Sequence, residues 1–283
     1  MTRSIIFPGE QPLPAIGQGT WNMGESHTQR QQEIRALQVG LERGLKVIDT
    51  AEMYAEGRAE EVVGEALKGR RDSAWLVSKV YPWHAGEADM SKACEGSLRR
   101  LQTDYLDLYL LHWRGSVALE ETIRAMERLQ QQGKIRYWGV SNLDSEEMES
   151  LWRLPGGNQC ATDQVLYHLA SRGIEYDVLP WCQQRQIPLM AYSPLAQAGR
   201  LRHALLNHAT LCDIAQQKGI SVAQLLLAWV IREPGVLAIP KASSVAHVAE
   251  NAGALAISLT QEELARLDEA FPAPPGKQPL EMI

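Results

Sequence analysis

Long apolar runs, an excess of basic residues and paired cysteines are all missing from this 283-residue sequence, and each absence removes a class of function. With 28 Lys plus Arg against 34 Asp plus Glu, the net charge of −6 offers no broad cationic surface, so nucleic-acid binding is not expected. The longest unbroken apolar run, 225–231, is far short of the roughly 20 residues that cross a bilayer. The N-terminal apolar run stops at Pro8 with no small-residue cleavage pattern after it, so neither a signal peptide nor a membrane anchor is expected and a cytoplasmic location follows. Cys94, Cys160, Cys182 and Cys212 form no C-x-x-C pair and are expected to stay reduced. No histidine pair has metal-ligand spacing, so no metal site is expected.

What the chain does have is alternation. β-rich runs at 15–19, 45–49, 74–79, 105–111, 135–141, 160–165, 187–192 and 236–239 are each followed by a segment with helical spacing. The helical segments are 31–43, 59–67, 90–101, 119–131, 145–152, 174–184, 211–218 with 222–231, and 246–254. Eight βα units with short connections favour right-handed parallel crossovers and predict an α/β fold, a closed (β/α)8 TIM barrel forming a single domain over 1–283. Pro8-Gly9-Glu10, between Phe7 and Gln11, predicts an N-terminal β-hairpin against the barrel floor. The proline-rich stretch 272–276 cannot be helical and reads as a surface tail.

A barrel of this kind gathers the C-terminal ends of its strands on one rim, so the polar residues that end strands become the site candidates. Asp49, Lys79, His112, Ser141, Asn142, Gln164, Tyr192 and Lys241 stand at those positions, with Tyr54 in the loop after Asp49. A phenol beside an ammonium group is stabilised as its anion, which lowers its pKa toward the working range. Tyr54 next to Lys79 can therefore protonate a nascent alkoxide. Asp49 keeps Lys79 charged, and His112 donates a hydrogen bond to a carbonyl oxygen. The hydride of such a reduction cannot come from a side chain, so a nicotinamide cofactor is implied. Lys241 and Ser243 precede a helix N-terminus, a setting suited to phosphate.

Taken singly, each of these residues has a structural explanation: Asp49 as a helix cap, Lys79 as a surface lysine, His112 as a core histidine, Tyr54 as packing. Their convergence on one rim argues against that. Trp21, Trp83 and Trp113 follow predicted strand ends and are expected to wall a substrate pocket, whereas Trp75, Trp138, Trp152, Trp181 and Trp229 read as core.

The segments 48–54 (IDTAEMY), 77–79 (VSK), 110–113 (LLHW), 139–142 (GVSN), 191–195 (AYSPL) and 239–241 (IPK) resemble the aldo-keto reductase superfamily, in this order and over nearly the whole chain; within it, bacterial methylglyoxal-reducing members are the most similar. The resemblance implies a catalytic tetrad of Asp49, Tyr54, Lys79 and His112, with Tyr54 as general acid and NADPH as hydride donor. It also implies cofactor contacts from Gly19, Thr20, Trp21, Asp49, Ser141, Asn142, Gln164, Tyr192, Ser193 and Leu195. Toward the adenosine end, the implied contacts are Lys241, Ser243, Glu250 and Asn251.

His247 stands where many relatives carry an arginine for the 2′-phosphate, which leaves NADH open as the cofactor. The loop 113–117 and the tail after Phe271 are short, which predicts an open, shallow pocket for a small carbonyl substrate. The chain is expected to act as a monomer. Two other classes compete with the reductase: a barrel aldolase using Lys79 as Schiff-base nucleophile, and a nicotinamide-binding regulatory subunit with little turnover.

Overall fold

The computed structural model describes residues 3–283. Eight parallel strands, β3 (Gln18–Gly19), β4 (Val47–Asp49), β5 (Trp75–Val80), β6 (Leu106–Leu111), β7 (Ile135–Ser141), β8 (Asp163–Leu166), β9 (Leu189–Tyr192) and β10 (Val236–Ala238), pair in chain order. The backbone of the first strand region closes on the last: Gly17 N–H donates to Ala238 O (2.8 Å), Ala238 N–H to Ala15 O (2.9 Å) and Gly19 N–H to Pro240 O (3.0 Å). A side chain at position 19 would put its Cβ 2.6 Å from Ile239 O, so this closure needs glycine. The predicted eight-stranded barrel is the observed one.

All six residues of β5 and of β6 are buried. Their inner side chains fill the barrel and their outer ones meet helices, which is why these strands read as nearly continuous apolar runs. The outer layer contains α1 (Arg30–Glu42), α2 (Arg58–Ala66), α3 (Met90–Leu101), α4 (Leu119–Gln131), α5 (Ser145–Arg153), α6 (Val178–Gln184), α7 (Arg200–Leu206), α8 (Ala209–Lys218), α9 (Val222–Val230), α10 (Val245–Gly253) and α11 (Gln261–Ala270). Two of these were not expected, α7 and α11. The second is announced by a capping box, in which Thr260 accepts from Glu263 N–H while the Glu263 carboxylate accepts from Thr260 N–H. Among the described residues no helix is long and apolar enough to cross a membrane.

The hairpin pairs β1 (Ser4–Ile5) antiparallel with β2 (Leu13–Pro14). Its Phe7 is fully buried and stacks 4.2 Å from the ring of Trp75, the first residue of β5, so the hairpin covers the N-terminal end of the barrel. Trp75, Trp138 and Trp229 lie in the core, while Trp152 and Trp181 are half-buried, edge to face at 5.7 Å.

The tail departs from expectation. Beyond the prolines it turns back over the strand ends, held by an ion pair of Lys277 with Glu146 (2.6 Å) and a hydrogen bond from Ser171 to Glu281. Its last residues, Met282 and Ile283, line the cavity described next. The site is therefore walled on the side where a short tail was expected to leave it open.

Candidate active site

The period of two along a strand sets which residues look inward. Asp49 pairs in register with Val77, which places Lys79 two residues nearer the rim on the same inward row. His112 directly follows β6, and its N–H donates to Val80 O (3.0 Å). Tyr54 opens a 3-10 turn in which Ala55 and Glu56 are left-handed (φ 50° and 57°) and Gly57 has φ 91°. A Cβ at Gly57 would come within 2.7 Å of the Arg100 side chain, so glycine ends this turn on both conformational and steric grounds.

The Lys79 ammonium is fully buried and donates to Asp49 Oδ2 (2.7 Å), Thr50 O (2.9 Å) and Tyr54 OH (3.0 Å). All three of its hydrogens are thereby used. Burial would lower the Lys79 pKa, but Asp49 and Tyr54 reverse this and it ends above the ordinary lysine value. The other oxygen of Asp49 accepts from Gln164 Nε2 at 2.8 Å. Because Lys79 donates to the Tyr54 oxygen, the phenolic hydrogen is left to point into the cavity that Tyr54 lines.

The Tyr54 pKa moves opposite to the sequence expectation. Burial pushes it above the ordinary phenol range; Lys79 pulls it down, but Asp49 on the far side of the ammonium cancels part of that pull. Tyr54 is thus held as a stored proton, with the cation placed to steady the phenolate once the proton leaves. Burial, reinforced by Lys79, pushes His112 down to about 2, so its imidazole is neutral. The ring lies 5.8 Å from that of Tyr54 and faces the same cavity.

A second set of polar groups is joined to this one. Tyr192 OH donates to Asn142 Oδ1 (2.8 Å), Asn142 Nδ2 to Ser141 Oγ (3.3 Å) and His112 O (3.2 Å), and Ser141 Oγ to Gln164 O (2.7 Å). Asn142 is left-handed (φ 60°), a conformation asparagine tolerates better than most residues. Through Gln164 and Asp49 the network runs unbroken from Tyr192 to Tyr54.

These residues floor and wall a cavity of about 350 Å³, with Trp21, Trp113, Ser193 and Leu195 among its other lining groups. An adjoining cavity of about 360 Å³ is lined by Lys241, His247, Glu250 and Asn251. Lys241 Nζ lies 3.2 Å from Ser243 Oγ. Gly19 and Thr20 are buried at the barrel seam instead of on the wall, with Thr20 Oγ1 donating to Asp49 O (2.9 Å). Trp83 corrects another expectation: it is 57% exposed, stacks on Tyr81 at 4.3 Å and meets Trp113 edge-on, so Trp113 and not Trp83 lines the cavity. Arg114 seals its own short loop by donating to Gly115 O (2.8 Å) and Val117 O (2.7 Å). Arg202, Met282 and Ile283 line the inner cavity without having stood out in the sequence.

Asp163, beside Gln164 on β8, is fully buried, and burial raises its pKa well above the carboxylate range; Glu147 and Asp144 add to this while the Leu143 backbone N–H opposes it. A folded-state pKa above the unfolded value means that stability is highest below the unfolded pKa and declines as pH rises toward the folded one, by about 1.4 kcal/mol per pH unit. Asp163→Asn should therefore raise Tm at pH 7 and widen its advantage with pH. Thermal melts across pH 5–8 in which the variant and the parent run parallel would show that the carboxyl is ionised in the fold.

The Aldo/keto reductase family profile matches residues 15–271 of the chain. Methylglyoxal reductase YeaE of Escherichia coli (strain K12) is 64% identical over 281 residues, 99% of each chain. Glyoxal reductase of Bacillus subtilis (strain 168) is 34% identical over 259 residues, 90% of this chain and 88% of its own. The crystal structure of an aldo/keto reductase from Klebsiella pneumoniae in complex with NADP and acetate superposes with a TM-score of 0.98 at 64% identity, covering 100% of both chains. With barrel, tetrad geometry and family profile in agreement over the same residues, the chain belongs to the aldo/keto reductase family.

Proposed function

We propose that this protein reduces small aldehydes and α-ketoaldehydes of the methylglyoxal type to alcohols, with NADPH as reductant. The observation that carries the reading is the buried Asp49–Lys79–Tyr54 chain of hydrogen bonds, 2.7 and 3.0 Å long, ending at a cavity beside a neutral histidine. Two joined cavities, one with amide and hydroxyl groups and the other with Lys241, fit an extended dinucleotide. When bound, that cofactor supplies the hydride. Asn142, Ser141 and Gln164 are the residues that would hold its carboxamide, and Tyr192 would flank its ring.

The protein's own part is orientation and proton delivery. His112 and Tyr54 offer hydrogens to one carbonyl oxygen; as negative charge grows there, Tyr54 gives up its proton and the adjacent ammonium compensates the phenolate. Lys79 itself is a poor nucleophile because all its hydrogens are donated and it remains charged, so the Schiff-base reading is not favoured. A complete tetrad also disfavours a binding-only regulatory subunit. A monomeric, cytoplasmic enzyme completes the proposal.

Steady-state rates with methylglyoxal, propanal and glucose, each with NADPH and NADH, test it. Methylglyoxal with NADPH should give the highest kcat/KM, and no turnover of any of the three would contradict the reading. The exposed His247 on the outer cavity carries a second expectation. Replacing the imidazole by a permanent bidentate cation, His247→Arg, should tighten NADPH relative to NADH by about tenfold. An unchanged ratio of the two Kd values would place position 247 away from the 2′-phosphate.

A further inference from the structure

The inner and outer cavities share three lining residues, Leu195, Arg202 and Lys241. The inner one holds Tyr54 and His112, the outer one His247, Glu250 and Asn251. An extended dinucleotide with its nicotinamide in the first and its adenosine in the second must pass this throat, and the part of the molecule that lies midway is its diphosphate. Of the two cations at the throat, Lys241 is engaged with Ser243, the group just ahead of α10. Arg202, on α7, has no hydrogen-bond or ion-pair partner among the described residues, whereas Arg71, Arg100, Arg172 and Arg232 are all paired with carboxylates. A half-buried arginine left without a carboxylate in a chain of net charge −6 invites an anion. Its planar fork matches two phosphate oxygens at once.

We infer that Arg202 binds the diphosphate of the nicotinamide dinucleotide and supplies affinity common to NADPH and NADH, leaving discrimination between them to Lys241 and position 247. This rests on the reading under Proposed function. The test is the Kd of Arg202→Gln and Arg202→Lys for NADPH, NADH and 2′-AMP, read by quenching of tryptophan fluorescence, with Tm measured alongside.

Arg202→Gln should weaken NADPH and NADH by the same factor, roughly 10- to 100-fold as for a lost charge-assisted contact, and leave 2′-AMP unaffected. Arg202→Lys, which keeps the charge without the fork, should fall between. A loss confined to NADPH and 2′-AMP would reassign Arg202 to the 2′-phosphate, and undiminished affinity for both dinucleotides would make it a solvent-facing cation; either overturns the inference. Failure of the parent enzyme to bind either dinucleotide would instead overturn the reading on which it rests.

Discussion

Tyr54→Phe is expected to lower kcat by about 10²–10⁴-fold while the Kd for NADPH stays within a few-fold of the parent. The substitution removes one oxygen and keeps the ring, which packs edge-on to His112 at 5.8 Å. Lys79 retains Asp49 and Thr50 as acceptors, so the fold should survive. His112 cannot take over as acid: with its pKa pushed down to about 2 it holds no spare proton near neutrality, and releasing its remaining one would create an imidazolate in a buried site. Single-turnover reduction of methylglyoxal, set against a fluorescence titration of cofactor, separates the two readouts. Loss of less than about tenfold in turnover would mean that the proton reaches the oxygen from elsewhere.

Lys79→Met should damage both stability and turnover. It deletes the cation and leaves the Asp49 carboxylate, itself 2% exposed, with Gln164 as its remaining side-chain partner. Removing one half of a buried ion pair costs about 3–5 kcal/mol, a fall of roughly 5–15 °C in Tm for a chain of this size. Adding Asp49→Asn removes the stranded charge, so the double variant should regain most of the lost stability. It should not regain activity, because no cation remains beside the phenol. Recovery of turnover along with Tm would show that Lys79 serves the fold and not the reaction.

The barrel was readable because its strands are buried on both faces, so each shows as an apolar run, and the inward polar residues Asp49, Lys79, Ser141 and Gln164 break those runs at the rim. The register that brings Asp49 and Lys79 together follows from the same period of two. Other parts depend on contacts between residues far apart in the chain. The tail is fixed by Lys277 with Glu146 and by Ser171 with Glu281, pairs that no local pattern connects. Helix α11 buries only Leu267 fully, so its apolar stripe is faint although its capping box is legible. Trp83 follows a strand end as Trp113 does, yet stacking on Tyr81 carries it outward. The direction of the Tyr54 shift is not legible in sequence, because residue types reveal the attracting cation, whereas depth of burial and the position of Asp49 behind that cation are properties of the fold.

A crystal structure of the enzyme with NADP and a carbonyl- or carboxylate-bearing inhibitor would examine proton delivery at its source. The Tyr54 hydroxyl and a His112 nitrogen should both lie within about 3 Å of the same inhibitor oxygen, with the Lys79 amine behind the phenol and still on Asp49. An inhibitor oxygen bound directly by Lys79, or a Tyr54 hydroxyl turned away from it, would contradict the account.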